Sequence, residues 1–270
     1  MKSQRPLILI SNDDGIQAGG INALIRFVSA FGDIVVMAPD SPRSGAACSL
    51  TVQSPIGFQL VRREPGLQIY KCSGTPADCI KLAKQEILDR TPDLVIGGIN
   101  HGDNASVNVH YSGTMGIVME GAICGIPSIG FSVDNHDLTA TFEHCGEAVK
   151  SIVGSVLENG LPKGVCLNVN FPAEGPLKGI RVCRQMSGKW TLEWDKRVRS
   201  NGYTYYWLMG RLLSEEPDAE DTDIWAIRHQ YAAVVPTKVD MTAYDYMTSL
   251  KERLEDSVLQ VKDEVLSDRR

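Results

Sequence analysis

The chain has 270 residues, of which 43 % are hydrophobic and 22 % are charged, and its formal net charge is −6. These values are those of an ordinary globular protein of one large or two small domains, so they exclude a disordered or collagen-like chain. The acidic balance disfavours binding to duplex nucleic acid, and no apolar run approaches the roughly 18 residues that a membrane span needs.

The first two thirds of the chain alternate short apolar runs with segments of helical periodicity. We predict strands at 6–12, 33–38, 93–98, 127–132 and 165–170, helices at 19–31, 75–89, 114–124 and 141–158, and a hairpin within 51–71. Because βαβ units make parallel sheets, this order predicts a doubly wound, mostly parallel α/β core that extends to about residue 175.

Beyond residue 175 the composition changes. Aromatic residues cluster between Trp190 and Trp207, the segment 229–237 predicts a strand, and 248–265 has the apolar spacing of a helix. We therefore predict a catalytic core over 1–175 and a β-rich C-terminal portion with a terminal helix over 176–270. We interpret the aromatic cluster as packing or a subunit contact, with a base-stacking platform as the alternative.

The turn after the first predicted strand carries Asn12-Asp13-Asp14-Gly15, where a dinucleotide-binding fold would carry GxGxxG. Two adjacent carboxylates repel a phosphate unless a cation lies between them. The run therefore predicts a divalent-metal site at the carboxyl end of this strand. For a single Asp, a helix cap or a turn would be the better interpretation.

Two other strand ends offer oxygen ligands at the same edge of the sheet. The segment 39–45 contains serine hydroxyls and a guanidinium, and Asn100 lies just past the strand 93–98. Carboxylate, amide and hydroxyl oxygens suit Mg²⁺ or Mn²⁺, with water in the remaining positions. For Asn100 alone, a left-handed turn residue is an equally open interpretation.

A helix begins after Tyr111, at Ser112-Gly113-Thr114. Ser112 can simply cap this helix, or the converging N–H and hydroxyl groups can bind an anion. A metal and a helix N-terminus facing one crevice predict metal-assisted hydrolysis of a phosphate ester. His101 and His110, in the preceding loop, are candidates for a general acid.

Seven segments occur in an order that resembles the SurE family, the survival-protein-E nucleotidases. They are ILISNDDGIQAGGI, APDSPRSGAACSLT, SGTPADCIKLA, PDLVIGGINHGDN, YSGTMGIVMEGA followed by IPSIGFS, LNVNFP, and TD followed by AAVVPTKVDMT. Together they span nearly the whole chain, so the resemblance is specific.

The resemblance implies a three-layer α/β/α fold and a metal-dependent phosphatase of nucleoside 5′- or 3′-monophosphates, with short polyphosphate as a further substrate. It also implies one divalent ion, Mg²⁺ or Mn²⁺, per subunit, and homodimers or homotetramers with exchanged C-terminal segments. By position, the metal ligands would be Asp13, Asp14, Ser44 and Asn100. The phosphate-side residues would be Asn104, Ser112, Gly113 and Thr114.

The chain departs from the family pattern at two loop positions, with Ser106 where Gly is frequent and Asn108 where Asp is frequent. These changes leave room for a non-catalytic nucleotide- or phosphate-binding module, and a nucleotide-sugar transferase is a third interpretation. For hydrolysis, Asp13 or Asp14 could also act as the base, and Asp13 could instead form an aspartyl-phosphate. Seven scattered cysteines without a CxxC pair favour a reducing, cytoplasmic location.

Overall fold

The computed structural model describes residues 5–137 and 139–267. The backbone forms two compact units, which divide after Val239. The strands of the first unit are β1 (Leu7–Ser11), β2 (Asp33–Pro39), β3 (Phe58–Glu64), β4 (Leu67–Cys72), β5 (Leu94–His101), β6 (Ser128–Val133), β7 (Val165–Phe171), β8 (Gly179–Val182), β9 (Gly188–Thr191), β10 (Trp194–Val198), β11 (Thr204–Leu208), β12 (Arg211–Ser214) and β13 (Tyr231–Lys238). Its helices are α1 (Gly19–Val28), α2 (Pro76–Glu86), α3 (Gly113–Ile123), α4 (Gly146–Asn159) and α5 (Asp223–Arg228).

The second unit contains the helix α6 (Tyr244–Ser267), which includes the predicted helix 248–265. Its apolar residues recur at helical spacing with charged residues between them, which is the pattern of an amphipathic helix. No helix within the described ranges has the length and apolarity needed to cross a bilayer.

One nine-stranded sheet organises the first unit, in the order β3-β4-β2-β1-β5-β6-β7-β13-β8. The six strands from β4 to β7 in this order run parallel, whereas β3 and β13 are antiparallel to their neighbours β4 and β7. The predicted mostly parallel α/β sheet is confirmed.

The two faces of β1 explain the layered architecture. Ile8 and Ile10 pack with residues of α1 and α4 on one face, and Leu7 and Leu9 pack with residues of α2 and α3 on the other. Successive side chains of a strand point to opposite faces, so an unbroken apolar run is stable only when both faces are covered. The result is the three-layer α/β/α arrangement.

Several predicted elements form with different ends or partners. The hairpin expected within 51–71 is β3–β4, and the helix expected at 141–158 begins as a 3₁₀ turn, Glu143–Cys145, before α4. The strand expected at 229–237 is β13, which pairs with β7 and lies inside the main sheet. The boundary at residue 175 stays a prediction, although β8 and β13 beyond it extend the sheet of the core.

The aromatic cluster lies on two short antiparallel ribbons, β10–β11 and β9–β12. More than half of the surface of Trp194, Tyr206 and Trp207 is exposed, whereas Trp190 is only partly exposed. Packing within the chain therefore accounts for Trp190, and the interpretation of the others as a subunit contact stays a prediction.

Asp78 fastens the segment after β2 to the start of α2. Its carboxylate accepts hydrogen bonds from the main-chain N–H of Thr75, at 2.9 Å, and of Thr51, at 3.1 Å. The Thr75 hydroxyl in return accepts from the N–H of Asp78, which completes a capping box. Burial alone would raise the pKa of Asp78, but these hydrogen bonds lower it below its ordinary value of 3.8.

We expect Asp78→Asn to lower the free energy of unfolding by about 1–2 kcal/mol at pH 7, because it removes the negative charge of the acceptor and puts an NH2 group in place of one of two oxygens that both accept from main-chain N–H groups. A carboxyl whose pKa is lowered by folding stabilises the protein above its unfolded pKa and loses that effect as the pH falls through its folded pKa. The difference from wild type should therefore shrink below about pH 4, as measured by urea unfolding. Glu86→Gln, at an exposed carboxylate of the same helix, is the control and should change stability by less than about 0.5 kcal/mol.

Candidate active site

The predicted site residues meet at the carboxyl edge of the sheet, between β1 and β5. These strands are parallel neighbours, but the chain leaves β1 toward α1 on one face and leaves β5 toward α3 on the other. The connections therefore diverge and open a crevice at this edge, which is where ligands bind in open α/β sheets.

Asp13 lies in this crevice against the first turn of α3. Its side chain is buried, and its Oδ1 accepts a hydrogen bond of 2.6 Å from the Thr114 hydroxyl. A Cβ at Gly113 would lie 2.7 Å from the Cβ of Asp13 and 2.9 Å from its Oδ2. Glycine at 113 is therefore what allows the helix to begin directly against the carboxylate.

The charge of Asp13 is incompletely compensated by the protein. Burial, and next the neighbouring Asp14, raise the pKa of Asp13 from 3.8 to about 6, although hydrogen bonds from Thr114 oppose this increase. A cation near two adjacent carboxylates would reverse the effect, because an opposite charge favours the ionised form. The electrostatics of this edge thus fit a divalent cation.

The oxygen atoms around this edge also fit a hard cation. The Asn12 Oδ1 is buried without a hydrogen-bond donor among the described residues. The register of β5 shifts between Gly97 and Asn100, and the Asn100 side-chain amide donates to the Gly102 carbonyl at 2.7 Å. That bond uses the nitrogen of Asn100 and leaves its Oδ1 for another partner.

The segment after β2 is tied to Asp13 by its main chain. The N–H of Arg43 donates to the Asp13 carbonyl at 2.7 Å, and the N–H of Ala47 donates to the Tyr111 carbonyl at 3.1 Å. Ser44 follows Arg43 and is exposed. The structure therefore brings the Ser44 segment next to Asp13, and the Ser44 hydroxyl has no hydrogen-bond partner in the described ranges.

The described residues contain no group of three His, Cys, Asp or Glu side chains that could hold a metal ion. A cation at this edge would therefore bind to the carboxylate pair together with amide, hydroxyl or water oxygens. This is the donor chemistry that Mg²⁺ and Mn²⁺ accept and that Zn²⁺ sites rarely use.

The start of α3 supplies main-chain donors rather than free hydroxyls. Ser112 Oγ accepts from the N–H of Met115 at 3.0 Å, so the interpretation of Ser112 as a helix cap is confirmed. The Thr114 hydroxyl donates its hydrogen bond to Asp13 Oδ1. The N–H of Gly113 has no acceptor within the described ranges, and the positive end of the helix macrodipole lies at the same place.

Asn104 is placed differently from the helix start. It is buried, its side-chain amide donates to Ser132 Oγ at 2.6 Å, and its N–H donates to Asn170 Oδ1 at 2.7 Å. Asn168 Nδ2 in turn donates to the Asn104 carbonyl at 2.7 Å. The structure thus brings Asn104 to the same edge of the sheet but uses its amide nitrogen to hold the loop.

Ser106 and Asn108, the two departures from the family pattern, are both bound from the C-terminal half. Ser106 has a φ of +51°, the left-handed region that favours glycine, and its N–H donates to Asp223 at 2.8 Å. Asn108 Oδ1 accepts from Trp190 Nε1 at 2.8 Å, and its Nδ2 donates to Asp103 at 3.1 Å. An amide can make both of these bonds, whereas a carboxylate at 108 would repel Asp103.

The two histidines of this loop differ in position. His110 is exposed, whereas the His101 ring is buried beside Asp14, where its Nδ1 lies 3.2 Å from Asp14 Oδ2. Sequence reasoning missed this contact, as well as the roles of Asp223 and Trp190 in holding the loop. No local pattern signals them, because each pair is more than 80 residues apart.

The family model described as "Survival protein SurE" matches residues 8–192. The chain is 56 % identical over 251 residues to the 5′-nucleotidase SurE of Bacteroides fragilis, covering 93 % of this chain and 98 % of the relative. It is 54 % identical over 250 residues to the 5′-nucleotidase SurE of Bacteroides thetaiotaomicron, covering 93 % and 96 %. The crystal structure of the SurE protein from Aquifex aeolicus matches with a TM-score of 0.79 at 37 % identity, covering 92 % of this chain and 99 % of that one.

The buried charge of Asp13 makes a prediction about stability. We expect Asp13→Asn to stabilise the metal-free protein at pH 7.5, because the amide keeps the acceptor for Thr114 but removes the charge. A pKa raised from 3.8 to about 6 corresponds to an upper limit of about 3 kcal/mol. A carboxyl whose pKa is raised by folding destabilises the protein as the pH rises from its unfolded to its folded pKa, so the gain should be small at pH 4 and full above about pH 7.

Urea unfolding in EDTA at the two pH values measures this gain. Asp218→Asn, which neutralises an exposed carboxylate, is the matched control and should leave stability within about 0.5 kcal/mol of wild type. A loss of stability on Asp13→Asn at pH 7.5 would show that the protein itself stabilises the anion and would contradict the argument for a cation.

Proposed function

This chain belongs to the SurE family, and we propose that it is a metal-dependent phosphomonoesterase that hydrolyses nucleoside 5′- and 3′-monophosphates to nucleoside and phosphate. Short polyphosphate is a further proposed substrate. The observation that carries the proposal is the pair Asp13 and Asp14 at the crevice between β1 and β5, with Asp13 against the first turn of α3. The names of the similar proteins, 5′-nucleotidase SurE, support the same activity.

In this proposal one Mg²⁺ or Mn²⁺ per subunit is held by Asp13, Asp14, Ser44 and Asn100. Its support is the all-oxygen donor set and the raised pKa of Asp13 described above. When bound, the cation supplies positive charge that stabilises the phosphoryl oxygens and increases the acidity of water.

The protein's own groups orient the phosphate. The first turn of α3, with the free N–H of Gly113 and the positive helix end, binds the phosphoryl oxygens. Thr114 contributes indirectly, because its hydroxyl holds the Asp13 carboxylate at 2.6 Å. Ser112 stabilises the start of the helix, and Asn104 holds the loop that leads to it.

Water attacks the phosphorus directly and in line with the leaving nucleoside oxygen. Asp14 is the better candidate to accept the proton from this water, because its side chain is more exposed than that of Asp13, which is buried and bonded to Thr114. The same burial disfavours an aspartyl-phosphate on Asp13. Transfer of the water proton to Asp14 leaves the hydroxide oxygen bonded to phosphorus. The bond between phosphorus and the nucleoside oxygen breaks, and the departing oxygen takes up a proton from solvent water.

We further propose a homodimer or homotetramer in the cytoplasm. The exposed Trp194, Tyr206 and Trp207 on the β10–β11 ribbon support a subunit contact, because isolated proteins rarely leave three such side chains in solvent together. All seven cysteines are free thiols, which fits a reducing compartment.

The proposal is tested by measuring phosphate release from a panel of 5′- and 3′-nucleoside monophosphates with Mn²⁺, with Mg²⁺ and with EDTA. We expect release with at least one metal and its complete loss in EDTA. Asp13→Asn should lower kcat/KM at least 1,000-fold, since it removes a charge that binds the cation, while circular dichroism shows a folded protein. Ser44→Ala should lower it about 10- to 100-fold.

Ser41→Ala is the matched control for Ser44→Ala, because the Ser41 hydroxyl bonds to the exposed Asp40. Its activity should stay within about twofold of wild type. Binding of AMP with metal but without release of phosphate would favour the binding module instead. Phosphate release by Asp13→Asn at more than a tenth of the wild-type rate would contradict the metal assignment.

A further inference from the structure

We propose that His101 is a positioning residue for Asp14: it holds one carboxylate oxygen of Asp14 so that the other faces the cation site. This inference rests on the proposed function, because it assumes that Asp14 binds the cation. The His101 ring is used to orient a ligand and does not itself touch the cation or the substrate.

Two donors of the same residue converge on one oxygen. The main-chain N–H of His101 donates to Asp14 Oδ2 at 3.0 Å, and the ring Nδ1 lies 3.2 Å from the same oxygen. Since an ionised carboxylate only accepts, Nδ1 carries the proton in this contact. Two bonds from the end of β5 restrict rotation of the carboxylate, and Asp14 Oδ1 has no protein donor within the described ranges.

The ring is itself held in place. Only 5 % of the His101 side chain is exposed, compared with 14 % of Asp14. The Phe142 ring packs edge-to-face on His101, with ring centroids 5.0 Å apart and an interplanar angle of 82°. A buried donor packed against an aromatic ring is well suited to fix a metal ligand, and such hydrogen-bonded partners are a general feature of metal sites.

Packing alone does not explain a histidine at this position. His101 Nε2 is buried and has no hydrogen-bond partner among the described residues. A buried polar atom without a partner is destabilising, and an apolar side chain would pack against Phe142 without that cost. The contact of Nδ1 with Asp14 is the interaction in the structure that a histidine makes and a leucine or phenylalanine could not.

The test compares four variants in the affinity of the metal-free protein for Mn²⁺, measured by calorimetry or by electron paramagnetic resonance. His101→Leu removes the ring donor and should weaken binding about 10- to 100-fold. His101→Asn places an amide N–H near the position of Nδ1 and should bind within about threefold of wild type. His101→Gln carries its amide near Nε2 instead, and should bind as weakly as His101→Leu.

Phe142→Leu is the matched control, because it removes the aromatic contact but keeps both donors on Asp14. Its affinity for Mn²⁺ should stay within about threefold of wild type. The Mn²⁺ concentration for half-maximal phosphate release should follow the binding constants in every variant. A merely structural role would not separate the Asn variant from the Gln variant.

The outcomes distinguish the two proposals. Tight Mn²⁺ binding by wild type and equally tight binding by His101→Leu and His101→Gln would overturn the role of His101 and leave the proposed function intact. No Mn²⁺ binding by folded wild type would overturn the cation site itself, and the role of His101 with it. If His101→Leu does not fold, the comparison of the Asn and Gln variants decides.

Discussion

The burial of one carboxylate directly beside a second is the constraint on which this candidate active-site edge depends. Asp13 and Asp14 directly follow a strand that is buried on both faces. The strand therefore holds the two adjacent carboxylates at the edge of the sheet. Burial and their mutual proximity raise the pKa of Asp13 to about 6, and the surrounding elements compensate only part of the charge. In the proposed cation site, the stability that the metal-free protein loses through this buried charge would be recovered when the cation binds, a compromise that is common at functional sites.

Each carboxylate is oriented by a donor from a different layer of the fold. Thr114, at the start of the helix that packs on one face, holds Asp13, and His101, at the end of the adjacent strand, holds Asp14. Both donors bind a single oxygen of their carboxylate. Within the described ranges this leaves Asp13 Oδ2 and Asp14 Oδ1 without a protein donor and available to the proposed cation.

The loop before α3 is held by parts of the chain that follow it by 80 residues or more. Asp223 accepts from the N–H of Ser106, and Trp190 donates to Asn108. The buried Asp223 carboxyl has a raised pKa because of its burial, although main-chain N–H donors oppose that increase. The C-terminal half therefore contributes to the candidate active-site edge by holding the loop before α3, and none of the proposed metal ligands comes from it. Its contacts with this loop include Ser106 and Asn108, the two departures from the family pattern.

Local order along the chain was enough to predict β1, β2, β5, β6, β7 and β13, the β3–β4 hairpin and helices α1 to α4 and α6. It did not predict β8 to β12 or α5. It also indicated the strand-end positions of the four proposed metal ligands. The unbroken apolar run of β1, followed directly by Asn12–Gly15, places the carboxylates at the strand end by covalent connection alone. The position of β13 inside the sheet, the pairing of His101 with Asp14 and the bond from Trp190 to Asn108 were decided only by the tertiary structure. Such contacts depend on which distant surfaces pack together, and the periodicity of a single segment carries no information about its partner.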